Sequence, residues 1–237
     1  MPNIARCTVP IPAAWCLLVS LLSCQHQPPP KPVLILWAWD RLEDLTFLQP
    51  GEAELAGLLG TITLINGEAR VEGRRLPLKV PPAISILGVV RLESDGSALP
   101  DAARVAQEIR NLTSRPRVSG IQIDFDARAS QLGWYKQLLK ELGPVSMTAL
   151  ASWCLDKPWF AGPDVREAAP MLFRMGPQQP QLLRRLRRQG QFAPGCREAI
   201  GISTDEPMAW LPPAPRVYVF HPKPWTEEAF RQVCARF

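Results

Sequence analysis

The stretch Gly120-Ile121-Gln122-Ile123-Asp124-Phe125-Asp126-Ala127-Arg128 constrains the fold more than any other part of the chain. In an extended backbone successive side chains point to opposite faces. Ile121, Ile123 and Phe125 therefore share one face, and Gln122, Asp124 and Asp126 share the other. An open sheet could turn that polar face to water. With helical sequence on both sides, the pattern suits a closed parallel barrel instead. There the apolar face packs on helices and the polar face points into the upper lumen. Two aspartates at a strand end can also be turn or cap residues, but three polar residues in alternation favour a site.

The rest of the chain repeats the logic. Strand-like runs occur at Val33–Trp39, Glu54–Leu59, Ile84–Glu93, Gly120–Asp126, Val145–Trp153, Ala169–Met175, Ala199–Thr204 and Val217–His221. Helical patterns fall at Asp101–Leu112, Ser130–Leu142 and Pro180–Gln189, and Thr226 is placed to cap a closing helix led by Glu227 and Glu228. After the second strand, Thr61–Ile65 and Glu68–Glu72 flank Asn66-Gly67, a favoured hairpin turn, where a helix is otherwise due. The predicted fold class is α/β: a compact (β/α)8 TIM-type barrel with abbreviated crossovers and a β-hairpin excursion after strand two. A doubly wound sheet usually shows a glycine fingerprint after its first strand, and none is present.

Composition agrees with one domain. The chain has 237 residues, 46% hydrophobic and 21% charged, enough to bury a full core. Its net charge of +5 is scattered except at Arg184-Arg185 and Arg187-Arg188. Those arginines alternate with Leu182, Leu183 and Leu186 and read as a solvated helix face, so nucleic acid is not an expected partner.

The first residues stand apart. Arg6 precedes the apolar run Ala13–Leu22, too short for a stable membrane span. The run ends in Leu21-Leu22-Ser23-Cys24, which resembles the lipobox of bacterial lipoproteins, with Cys24 as the lipidated residue. Residues 1–23 are then a signal peptide, 24–32 a proline-rich tether, and 33–237 the barrel domain. That arrangement implies a monomeric, membrane-anchored lipoprotein outside the cytoplasm, facing the periplasm where there is one. Cys154, Cys196 and Cys234 remain in the mature chain without a Cys-x-x-Cys spacing, so neither zinc nor any other metal or cofactor is expected. One disulfide among the three is expected in an oxidising compartment, and the sequence does not choose the pair.

Active sites of such barrels lie at the C-terminal strand ends, where this chain concentrates its unusual residues. They are Trp37, Trp39 and Asp40 on strand one, and Arg91 and Glu93 on strand three. Strand four gives Gln122, Asp124, Asp126 and Arg128. Strands five to eight contribute Trp153, Arg174, Asp205 with Glu206, and His221 with Trp225. Carboxylates that move protons beside aromatic faces that stack on sugar rings suit a glycan ligand or substrate.

Five segments in order resemble an uncharacterised bacterial family, the domain-of-unknown-function family numbered 3142, whose members are often predicted lipoproteins. They are Trp37–Asp40, Gln122–Arg128, Ala151–Cys154, Met171–Gly176 and Ser203–Pro207. The resemblance spans essentially the whole mature chain and implies no activity. More distantly, strand four is similar to the DxxDxDxE strand of chitinase-type (family 18) glycoside hydrolases. Asp124 then stands at the second aspartate of that pattern and Asp126 at its catalytic glutamate, and Trp225 matches an aromatic residue near the end of strand eight. Gln122, standing at the first strand aspartate, cannot ionise. The Asp126 carboxyl sits one carbon–carbon step, roughly 1.5 Å, short of a glutamate's. A second layout pairs Asp126 with Asp205 or Glu206 on strand seven, as in retaining glycosidases.

Three functions stay open: an extracytoplasmic glycosidase, a carbohydrate-binding barrel without turnover, and a structural envelope lipoprotein. Only the last predicts no sugar binding. For the anchor, Cys24→Ala is expected to move the protein from the detergent phase to the aqueous phase on partitioning. Unchanged partitioning would contradict it.

Overall fold

The computed structural model describes residues 31–237; the signal segment, Cys24 and the tether up to residue 30 lie outside them. In chain order the elements are β1 (Val33–Ala38), β2 (Glu43–Asp44), β3 (Glu54–Ile65), β4 (Glu68–Gly73), β5 (Leu78–Lys79) and β6 (Ile86–Ser94). Then come α1 (Ala102–Thr113), β7 (Val118–Phe125), α2 (Leu132–Leu142), β8 (Val145–Leu150), β9 (Val165–Met171) and α3 (Gln179–Gln189). The chain ends with β10 (Ala199–Ser203), β11 (Arg216–Phe220) and α4 (Glu227–Cys234).

Eight of these strands close a barrel in the order β1-β3-β6-β7-β8-β9-β10-β11, with β11 returning to β1 and every pair parallel. Helices surround it, as in a TIM-type barrel. The alternation on β7 has the expected sense. Ile123 and Phe125 join the outer core with α1 and α2 residues such as Ile109, Tyr135 and Leu138, whereas Gln122 bonds across the lumen to Trp37. Each fully buried aliphatic or aromatic side chain in that outer layer contributes about 1.5–3 kcal/mol of transfer free energy. The inner layer is built from alternate residues of the strands: Ile35 and Trp37, Ala56 and Leu58, Val89, Ala169, Ala199, Tyr218 and Phe220.

Two helix starts are capped by side chains. The Thr226 hydroxyl accepts from the Ala229 N–H, as expected, and the Asp101 side chain accepts from the Arg104 N–H. The strand bounds shift by one or two residues at several ends and differ from the sequence reading most in three places. Glu54–Leu59 and Thr61–Ile65 are one strand of 12 residues, since β3 runs through the barrel and out into the β3–β4 hairpin. A register shift between Leu58 and Gly60 permits this, and a Cβ on Gly60 would lie 2.6 Å from the Glu72 carbonyl oxygen. Val145–Trp153 stops at Leu150, and Ala151–Cys154 turns into a short 3-10 helix. The expected Ala169–Met175 strand begins earlier, at Val165, and ends at Met171. It tolerates Pro170 because β9 shares only the Gly201–Met171 register pair with β10.

The 3-10 turn is stapled. Cys154 is bonded to Cys196 across 42 residues, which leaves Cys234 as the free thiol among the described residues. In the chain-entropy account a loop of that length gives about 4 kcal/mol of stabilisation. It also holds the β8–β9 connection against the segment that leads into β10. No helix among the described residues is long and apolar enough to cross a membrane.

Candidate functional site

Every strand of a parallel barrel ends at the same mouth, and in this one the mouth is hollow. A cavity of about 770 Å³ opens there. Its walls include Trp39, Arg41, Arg91, Glu93, Asp124, Asp126, Thr148, Phe173, Arg174 and Phe220, and Trp37 lies at its base.

Trp37 forms a floor rather than an open stacking face. It is 3% exposed, its indole N–H donates to Gln122 Oε1 at 2.7 Å, and its ring lies 5.1 Å from Tyr218. A Cβ on Gly201 would come within 2.9 Å of that ring, so the glycine makes room for it. Gln122 is buried below the cavity; its Oε1 is taken by that contact, and its Nε2 has no partner among the described residues. Under this floor the barrel is closed by charge. Arg216 pairs with Glu54 at 2.8 Å and Glu167 at 2.6 Å, and the Tyr218 hydroxyl donates to Glu167. Burial, reinforced by the Glu167 charge, pushes the Tyr218 phenol above its ordinary value.

Above the floor sits Asp124, 4% exposed. Its Oδ1 accepts from the Thr148 hydroxyl at 2.7 Å and its Oδ2 from Arg91 Nη1 at 2.9 Å. Arg91 Nε also donates to Glu93 at 2.8 Å, and its guanidinium lies 5.8 Å from the Trp39 ring centre. Burial raises the Asp124 pKa above the ordinary carboxylate value. Arg91 and Thr148 oppose that rise, and the Asp126 charge adds to it. Asp126, the first residue beyond β7, is exposed and lines the cavity. Among the described residues it has no ion-pair partner within 4 Å; Arg91 pairs with Asp124 and Glu93 instead.

Of the residues expected at the site, the structure brings Trp37, Trp39, Arg91, Glu93, Asp124, Asp126 and Arg174 to the cavity lining. The others lie at the same barrel end but do not line it. Asp40 accepts from the Arg75 and Leu76 backbone N–H groups; burial would raise its pKa, but these bonds and the nearby arginines lower it. The Arg128 guanidinium lies against Gly96 at the rim. Trp153 packs on Trp159 at 5.4 Å in the outer core. Asp205 accepts from the Ser203 hydroxyl, and Glu206 accepts from the Arg174 N–H at 3.0 Å. His221 Nδ1 is bonded to the Thr204 hydroxyl at 2.6 Å, and burial lowers its pKa. Trp225 is 3% exposed and donates its indole N–H to the Trp37 carbonyl. It braces the floor from outside.

Four wall residues escaped the sequence reading. Thr148 follows Ser146 in the alternation of Val145-Ser146-Met147-Thr148, so its lumen position could have been found by the logic applied to β7. Phe173 and Phe220 are apolar and left no signal in a search for charge. Their rings stack in parallel at 5.7 Å. Arg41 had one signal only, its place beside Asp40. Its guanidinium is held by the buried Glu43 and by the carbonyls of His221 and Pro222. Among the described residues no group of three or more His, Cys, Asp or Glu is placed to hold a metal.

No protein-family model, curated protein or solved structure matches this chain.

The raised Asp124 pKa has a consequence for stability. From about pH 4 upward to its folded-state value the native protein holds a proton that the unfolded chain has lost, so stability falls as pH rises through that window. Asp124→Asn removes this dependence. Denaturant melts at pH 7 and pH 5 should therefore show wild type gaining stability over Asp124→Asn on acidification. A difference that shrinks toward acid would mean that the Arg91 pair dominates and that the pKa is lowered.

Proposed function

We propose that the chain is an extracytoplasmic barrel protein of glycoside hydrolase type that acts on a polysaccharide or cell-envelope glycan. The cavity at the barrel mouth carries this reading: aromatic rings and carboxylates share its walls, with Trp39, Phe173 and Phe220 beside Glu93, Asp124 and Asp126. We class the fold with (β/α)8 TIM-type barrels whose crossovers are shortened. α-Helices follow only β6, β7, β9 and β11 among the barrel strands. The Cys154–Cys196 bridge suits an oxidising compartment, which supports the lipoprotein placement implied by Cys24 and by the resemblance to family 3142.

In this reading Asp126 is the general acid. It protonates the glycosidic oxygen as the bond to the anomeric carbon breaks. Glu93 is the second carboxylate. It stands on β6, whose Leu92 is in register with Phe125 of β7, so Glu93 and Asp126 are the next residues along neighbouring strands. It takes the proton of the attacking water. Asp124 acts through Arg91: it holds the guanidinium that in turn orients Glu93.

A binding barrel without turnover is the second reading, favoured by two observations. Glu93 is already paired to Arg91, and Asp205 and Glu206 do not line the cavity. Asp126→Asn separates the two. For hydrolysis, turnover of a cleaved oligosaccharide should fall by at least about a hundredfold while binding and melting temperature hold. Retained turnover would remove Asp126 from the chemistry. A wild-type protein that binds glycans but cleaves none would establish the second reading.

A further inference from the structure

Three guanidiniums reach the cavity, and two of them are spoken for. Arg41 is bonded to Glu43 and to two backbone carbonyls, and Arg91 to Glu93 and Asp124. Arg174 is different. Among the described residues no carboxylate lies within ion-pair distance of its side chain, and it is exposed to the cavity.

Its placement is nevertheless fixed. The guanidinium carbon lies 4.9 Å from the Phe220 ring centre, and Phe220 in turn stacks on Phe173. Its backbone takes φ +53°, a left-handed conformation that non-glycine residues rarely adopt, and its N–H donates to Glu206 Oε2 at 3.0 Å. The next residues turn again at Gly176, φ +69°. An arginine kept in an unfavourable backbone state, over an aromatic ring and lacking an anion, is a preformed receptor for one.

We infer that the cavity takes a glycan bearing a carboxylate, a uronic-acid type of sugar, with that carboxylate paired to Arg174. The inference rests on the reading of the cavity as a glycan site and names the class of sugar it selects. A single unpaired cation matches the single charge of a carboxylate, and the planar guanidinium offers the two parallel donors that a carboxylate accepts. The acids at the mouth fix the ligand's direction. Asp126 and Glu93 lie on β7 and β6, whereas Arg174 follows β9, and β8 stands between β7 and β9. Two inter-strand steps of about 4.8 Å separate the β7 and β9 walls, roughly the span of one or two sugar rings. An anionic substituent is repelled from the acid side and drawn to the Arg174 side, which leaves the linkage next to Asp126. A sugar face would lie over Trp39, the half-buried ring of the wall, since Phe220 is already covered by Phe173 and Arg174.

The test is binding of glucuronate-, galacturonate- and mannuronate-containing oligosaccharides to the purified full chain. The same oligosaccharides, carboxyl-reduced to their neutral forms, and sulfated oligosaccharides serve as comparison probes. Wild type should bind at least one uronate oligomer about tenfold or more tightly than its neutral form, as expected for one charge-assisted pair. Arg174→Gly should abolish that preference while leaving neutral binding in place. Its melting temperature should hold or rise, because glycine accepts the left-handed backbone. Arg174→Lys should keep only part of the preference. Equal binding of acidic and neutral forms, a preference that survives Arg174→Gly, or stronger binding of sulfated probes would each overturn the uronate inference while leaving the glycan site intact. Binding of no probe at all would overturn both.

Discussion

Trp37 is the side chain on which the site depends. Its ring fills the middle of the lumen between Gly201, Tyr218 and Phe173, and its indole N–H is taken by Gln122. Its carbonyl accepts from the Trp225 indole outside the barrel. Below this plug the lumen is filled with side chains and closed by the Arg216–Glu167 pair. Above it there is room for a ligand. A smaller residue at position 37 would connect cavity and lumen, and a residue larger than glycine at 201 would push the plug upward.

Charge is distributed on either side of that plug to different ends. In the lower network every charged group has a partner: Arg216 meets Glu54 and Glu167, and the Tyr218 hydroxyl donates a hydrogen bond to Glu167. The upper one leaves two charges over. Asp124, Arg91 and Glu93 form a chain of pairs, and Asp126 and Arg174 are left over on strands two places apart around the barrel. Buried polar groups are normally satisfied because an unpaired one costs free energy. Here the unpaired charges stand at the solvent-facing mouth, where water covers them cheaply and a ligand can replace that water. That is where function would place them.

Much of the barrel could be read from alternation and breakers, because a closed parallel sheet imposes a strict inside–outside pattern on every strand. β7 shows it most plainly. Elsewhere tertiary contacts overrode local pattern. β3 continued through Gly60 because a bulge let it, and β8 ended at Leu150, where the chain turns toward the Cys154–Cys196 bridge. Among site residues, charge at a strand end was visible but its direction was not. Asp205 and Glu206 look equivalent to Asp126 in one dimension. Only the fold assigns Asp205 to the Ser203 hydroxyl and Glu206 to the Arg174 backbone. Trp225 likewise looked like a stacking platform and is a buried brace. The aromatic wall of Phe173 and Phe220 was invisible, since an apolar residue at or just beyond an apolar strand carries no mark of where it points.

The most direct measurement is a glycan-array screen of the purified protein beside its Trp39→Ala variant, which keeps the Trp37 floor and removes an aromatic wall of the cavity. The cavity reading predicts that the wild-type protein binds a defined set of glycans and that the variant loses most of that signal without losing its fold. Wild-type protein that binds no glycan, or a variant that binds as wild type does, would contradict it.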